Sequence, residues 1–274
     1  MHLRAGVLVG LVVLMVGCSG SGRVRYDTPE EAYNKGVEAY ERERYDLAIE
    51  YFQGVFNFGR AHEWADDAQL YLARAYRGNG DYILATNEYN RFTQIYRGDP
   101  RVAEADFERA MAYYQLSPEF SLDQSDTVEA IRQFNLFLRR YPQDPRAAEA
   151  QRYVVELRGK LAEKKYNAAR QYETREQYEA AAITFMGVLE EFPETDWVDD
   201  ALVSTIRVYI AYAEESIEAS AIERYQKAIS TYEQLLQLFP NSERLKDAEA
   251  LYTQAQAGLK ALQTGGTTAE GTGR

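Results

Sequence analysis

One cysteine and two histidines in 274 residues leave this chain little with which to do metal or redox chemistry. A disulfide framework needs at least two cysteines, so none is possible within the chain. His2 falls in the N-terminal apolar stretch, which leaves His62. The run His62-Glu63-Trp64-Ala65-Asp66 resembles a zinc-protease helix superficially, but aspartate stands where the second histidine belongs. It reads instead as the capped, solvated start of a helix. Asp66-Asp67 and Asp199-Asp200 suit helix starts for the same dipolar reason. Neither a glycine-rich phosphate loop nor a nucleophile elbow is present. The chain is therefore expected to be no enzyme and to need no cofactor or metal. Basic charge is also scarce: 31 Lys and Arg against 43 Asp and Glu give a net charge of −12. With no basic stripe, a nucleic acid is not an expected partner. The one long apolar run, residues 5–16, is too short to cross a bilayer as a helix.

What is abundant is tyrosine, 22 of them, in a chain that is 46% hydrophobic and so has ample material for a core. Tyr178, Ala181, Phe185, Val188 and Phe192 recur at steps of three and four before Pro193, one face of a helix stopped by proline. Tyr45, Ala48, Phe52 and Val55 repeat the pattern, as do Tyr82, Ala85, Tyr89 and Phe92. So do Ala130, Phe134, Phe137 and Pro142, and Tyr225, Ala228, Tyr232, Leu235, Phe239 and Pro240. A second pattern runs in phase with the first. Tyr96 to Ala105 and Tyr141 to Ala150 are near copies of one turn, each holding Asp-Pro-Arg. Phe192 to Ala201 and Phe239 to Ala248 keep the same step, and Phe58 to Ala68 keeps it with one residue added. An aromatic ends one helix, a breaker turns the chain, a polar residue caps the next helix and an alanine begins its buried face. The small-to-aromatic step with its trailing proline marks tetratricopeptide (TPR) repeats.

The fold expected is all-α, a TPR-like α-solenoid of about five helix-turn-helix repeats plus a C-terminal capping helix. Thr28 caps the first helix, with Pro29 at its first position and Glu31 closing a capping box. The first repeat pairs 29–41 with 46–58, and the second pairs 63–77 with 82–96 across Gly78-Asn79-Gly80-Asp81. A loop over 116–126 stretches the third repeat. A long helix over 146–174 joins a half spanning 28–145 to one spanning 146–263. The fifth repeat is expanded at 214–221, and a helix over 243–262 closes the stack. The Gly/Thr-rich segment 264–274 reads as a disordered tail.

In such arrays the first helices line a concave surface. Aligning the repeats assigns to it Tyr33, Val37 and Tyr40, then Leu70, Arg74 and Arg77, then Phe107, Met111 and Tyr114. Aromatic and apolar groups beside two arginines suit an extended peptide segment with hydrophobic side chains and a carboxylate. The alternative is that several of these side chains simply pack between helices, since tyrosine serves both purposes.

At the N-terminus, Arg4, the apolar run and Gly17-Cys18-Ser19-Gly20 read as an export signal. Met15-Val16-Gly17-Cys18 resembles the lipobox of bacterial lipoproteins, with methionine where leucine is usual. That resemblance implies cleavage after residue 17, acylation of Cys18 and a tether over 18–27. With the five unequal repeats, the long middle helix and stretches such as 28-Thr-Pro-Glu-Glu-Ala-Tyr-33 and 192-Phe-Pro-Glu-Thr-195, the chain resembles the BamD family of the β-barrel assembly (BAM) machinery. A proline common in that family before Phe58-Gly59 is missing here. The resemblance implies a lipid-anchored scaffold on the periplasmic face of the outer membrane. Its partners would be a BamA-like POTRA-bearing barrel subunit, bound mainly through the C-terminal half, accessory lipoproteins, and unfolded outer-membrane protein segments. Two other lipid-anchored TPR adaptors stay open, a secretin pilotin and a CpoB-like envelope coordinator. Against them stand unequal repeat steps of 37, 45, 51 and 47 residues, counted between the alanines at 48, 85, 130, 181 and 228, and the lack of a heptad run before Thr28.

Overall fold

The computed structural model describes residues 24–270, with side chains as far as Thr264; the signal segment and Cys18 lie outside the described residues. Among those residues the chain is helical throughout. Its elements are α1 (Pro29–Glu41), α2 (Tyr45–Val55), α3 (Ala65–Gly78), α4 (Tyr82–Ile95), α5 (Val102–Leu116), α6 (Ser125–Arg140), α7 (Ala147–Thr174), α8 (Tyr178–Glu191), α9 (Val198–Glu214), α10 (Glu218–Leu238) and α11 (Leu245–Glu270). Each helix packs on the next along the chain, and α11 also touches α9. That is the contact pattern of a one-dimensional stack of helix pairs.

The repeat alanines explain the stack. Ala48, Ala85, Ala130, Ala181 and Ala228, on the second helices, are all fully buried, as are Ala68, Ala105, Ala150, Ala201 and Ala248 on the first helices that follow. Alanine lets two helix backbones approach, and the aromatic one turn further on fills the space beside it. Phe52, Tyr89, Phe134 and Phe185 occupy that place and are wholly buried.

The turns repeat too. The backbone N–H of Arg101 donates to Asp99 Oδ1 (2.7 Å), and that of Arg146 to Asp144 Oδ1 (2.9 Å). The aspartates thus hold the turn two residues ahead, where helix capping was expected; the positions that flank α5 and α7 are Arg101 and Arg146 themselves, with no side-chain cap. The double-aspartate starts of α3 and α9 are also more than dipole partners. Arg101 reaches Asp66 (3.0 Å) and Asp67, and Arg244, its equivalent three repeats later, reaches Asp200 (2.7 Å). Each arginine ties the start of one first helix to that of the next.

Several boundaries differ from expectation. α3 begins at Ala65, so His62 sits before it, accepting from the Trp64 N–H at Nδ1 (3.3 Å). Thr28 Oγ1 caps α1 by accepting from the Glu31 N–H (3.1 Å), but Glu31 reaches back to the N–H of Asp27 (2.8 Å) and not to that of Thr28. The fifth repeat breaks at residues 215–217, before α10 begins at Glu218. α11 runs through Gly265 and Gly266 to Glu270, past the tail boundary set at Thr264. Thr264 Oγ1 bonds back to the Lys260 carbonyl (3.0 Å), which supports the helix at that point.

Candidate functional site

Three first helices, α1, α3 and α5, contribute side chains to one pocket of the N-terminal repeats. On α1, Tyr33 lies edge-on to Tyr71 (5.9 Å between ring centres) and against Trp64 (5.2 Å). Burial, with Asp67 adding to it, pushes its hydroxyl up to about 12. Tyr40 touches Tyr45 and Tyr71, each at 5.6 Å, and Val37 packs on the same cluster. These three are half-buried and pack against the first-repeat core.

α3 supplies the charge. Arg74 pairs with Glu104, and Arg77 Nη1 lies 2.6 Å from Glu108 Oε2. Both carboxylates come from α5, so the pairs bridge two repeats. The Glu108 carboxyl is raised by burial against the opposing pull of Arg77 and Arg74. Behind them the Tyr89 hydroxyl is buried without a hydrogen-bond partner, and burial raises it further from ionisation. Tyr40, Tyr45, Tyr82, Arg74, Arg77 and Gln115 together line a concave pocket of about 310 Å³.

Of the nine groove residues expected, the structure brings Tyr40, Arg74 and Arg77 into this pocket and sets Tyr33 and Val37 along the same helix. Two were misassigned. Leu70 is fully buried and Phe107 is 6% exposed, each inside an inter-repeat core, so neither offers a surface to a ligand. The cause is geometric: the sealed and the pocket-bordering positions of a first helix lie one turn and about 40° apart, as Leu70 and Arg74 do, so spacing alone does not separate them. Met111 borders the third-repeat core. Tyr114 lies against Tyr153 with the rings tilted (4.8 Å between centres), and its hydroxyl donates to Glu156, which together with burial raises it to about 12. Neither lines the pocket around Tyr40.

A second concavity lies further along the chain, and of its parts the sequence singles out only the inserted loop. Phe120 from the loop, Glu156 and Glu163 from α7, and Trp197 before α9 border a cleft of about 690 Å³. The loop is fixed. Gln124 donates to the carbonyls of Glu119 (2.8 Å) and Leu122 (3.1 Å), and Lys160 on α7 donates to Ser117 Oγ (2.7 Å). Among the described residues no group of His, Cys, Asp or Glu is placed to hold a metal ion, and no helix is long and apolar enough to cross a membrane.

Stacked helix pairs offering aromatic and charge-paired hollows, with the polar groups held by one another, define a helical-repeat scaffold of the TPR type. A tetratricopeptide-repeat family matches residues 209–242. The family YfiO, outer membrane lipoprotein, matches residues 25–223, and the chain belongs to it. The outer membrane protein assembly factor BamD of Caulobacter vibrioides is 26% identical over 211 residues, covering 75% of this chain and 68% of that one. A putative outer membrane protein assembly factor BamD of Aquifex aeolicus is 34% identical over 195 residues, covering 70% of this chain and 64% of that one. A TPR repeats protein of Bacteroides fragilis aligns over 85% of this chain and 99% of its own, with 14% identity and a TM-score of 0.47.

Proposed function

We propose that this chain is a noncatalytic assembly factor for outer-membrane proteins, anchored by lipid on Cys18 to the periplasmic face of the outer membrane. Its N-terminal concave face holds extended segments of unfolded outer-membrane proteins, and its C-terminal half docks a POTRA-bearing barrel subunit. The observation that carries this reading is the pocket formed by Tyr40, Arg74 and Arg77 in a chain of the outer membrane lipoprotein family. Tyrosine rings accept apolar or aromatic side chains with little loss of rotamer entropy. Because Arg74 and Arg77 already have carboxylate partners, a peptide carboxylate would have to share them with Glu104 and Glu108. Aromatic contact therefore contributes more to the binding than charge does.

A photoreactive residue in place of Tyr40 tests this in cells: crosslinks to nascent outer-membrane proteins are expected, and crosslinks to soluble periplasmic proteins alone would sink the reading. The anchor has its own test. Cys18→Ala should move the chain from the membrane to the soluble fraction with its helicity unchanged, since several acyl chains at about 0.8 kcal/mol per buried methylene supply the attachment.

A further inference from the structure

The outer face of the second and third repeats carries a cleft that the concave-face reading does not use. It lies between α4 and α6, is floored by α5 and encloses about 640 Å³. Four arginines border it: Arg97 just after α4, Arg109 on α5, and Arg132 and Arg140 on α6. In a chain of net charge −12 this concentration of positive charge needs a reason.

Two carboxylates balance it in part. Asp106, 2% exposed on α5, sits 2.9 Å from Arg109 Nη2 and 2.9 Å from Arg140 Nη1, and accepts from the Tyr141 hydroxyl (3.1 Å). Glu129 receives a two-pronged bond from Arg132 (2.8 and 2.5 Å) and a third from Gln133 Nε2 (2.5 Å). Four guanidinium groups against two carboxylates leave two positive charges uncompensated. Arg97 has no carboxylate partner, and its Nε donates only to the Gln94 carbonyl at the end of its own helix (3.1 Å). Arg109 Nη1 donates to Asn90 Oδ1 (3.1 Å), while its Nε is buried without any acceptor. Burial pushes this guanidinium down from its ordinary value, and the like charges of Arg140 and Arg132 add to that against the pull of Asp106. An unpaired buried donor among crowded like charges is the arrangement an anion relieves.

We propose that this cleft binds the doubly charged oxyanion of a phosphate ester, with Arg97 and Arg132 at its rim and Arg109 below. Guanidinium forks match phosphate oxygens two at a time, and the excess of two charges equals that of a phosphate monoester. The walls favour a small hydrophilic ligand over an acidic peptide. They are amides and hydroxyls, from Asn87, Asn90 and Tyr113 among others, with Val102 and Leu136 the only aliphatic side chains at the border, so a peptide would find little to anchor its hydrophobic groups. The same phosphate chemistry occurs in soluble esters and in lipid headgroups.

The experiment is titration calorimetry of the full chain in neutral detergent with two probes, glycerol 3-phosphate and monomeric dihexanoyl phosphatidic acid. Saturable binding of at least one is expected, weakening as salt rises. Arg97→Gln and Arg132→Gln should each weaken it roughly tenfold, the loss of one charge-assisted contact. Neither substitution touches the buried core, and an unchanged circular dichroism spectrum checks this. Similar affinity for the two probes assigns the site to soluble esters, and tenfold tighter binding of phosphatidic acid assigns it to a lipid headgroup. Absence of saturable binding by the native chain would overturn the proposal. So would equal affinity in native and variant chains, or tighter binding of a hexaglutamate peptide than of either phosphate probe.

Discussion

Replacing Arg77 with methionine should destabilise the N-terminal half, and by an amount that depends on pH. Arg77 Nη1 lies 2.6 Å from Glu108 Oε2, an ionic contact outside good hydrogen-bond geometry. The two side chains are 34% and 20% exposed. Removing one member of a fully buried pair costs about 3–5 kcal/mol. Partial exposure screens the charge left behind, so about 2 kcal/mol is the better expectation here. In a chain of this length that lowers Tm by about 4–8 °C. The pH dependence follows from Glu108, whose carboxyl is already raised by burial above its ordinary value of 4.5, with Arg77 the first group opposing the rise. Loss of Arg77 raises it further. A carboxyl raised in the folded state binds its proton more tightly there than in the unfolded chain. Stability is then greatest below the unfolded value and is lost as pH rises through the folded one. The Arg77→Met deficit should therefore be largest near pH 7 and smaller near pH 5, because Glu108 gains its proton more readily in the variant as pH falls. Thermal melts at the two pH values, with Arg77→Met/Glu108→Gln alongside, measure this. The double variant should recover most of the loss at neutral pH. A deficit identical at both pH values, or one that the glutamine leaves untouched, would refute the reasoning.

Other substitutions probe the stack itself. Phe134 is fully buried and stacks on Tyr153 (5.3 Å between centres), so Phe134→Ala should cost about 3–5 kcal/mol in chemical denaturation. Glu176, between α7 and α8, holds φ at +59°, a left-handed conformation shared at the equivalent turns by Glu43 (+57°) and Gly80 (+84°). Glu176→Gly should leave stability unchanged or raise it by up to about 1 kcal/mol, since relief of strain exceeds or offsets the added chain entropy. Gly80→Ala should lower it by about 1 kcal/mol, and equal midpoints for the two variants would count against the assignment of that turn.

The fold was legible because its signal is local and repeated. Ala85 and Tyr89, or Ala181 and Phe185, can be read as one buried face from spacing alone, and five copies in phase make an array. The groove was only half legible. Spacing cannot separate Leu70 from Arg74: they lie one turn and about 40° apart on α3, yet one is sealed between repeats while the other borders the pocket. Nor does any local pattern announce that Arg74 and Arg77 meet Glu104 and Glu108, some thirty residues on, because such pairs exist only once the repeats are stacked. The arginine cleft was invisible for the same reason. Arg97, Arg109, Arg132 and Arg140 come from four places in the sequence, each of which reads as an ordinary solvated position.

α7 shows how the two halves are coupled. At 28 residues it is about 42 Å long. Its first half, through Ala150, Val154 and Leu157, completes the third-repeat core, and its second half, through Ala162 and Ala169, opens the core of the C-terminal repeats. One unbroken rod thus belongs to two cores. The cleft bordered by Phe120 and Trp197 lies where they meet, and Lys160 and Arg158 there bind the inserted loop and Glu194 respectively. A partner seated in that cleft would touch elements from both halves and the rod between them. The helix fixes the distance between the two cores, and the inserted loop, pinned to it by Lys160, walls the cleft at their junction.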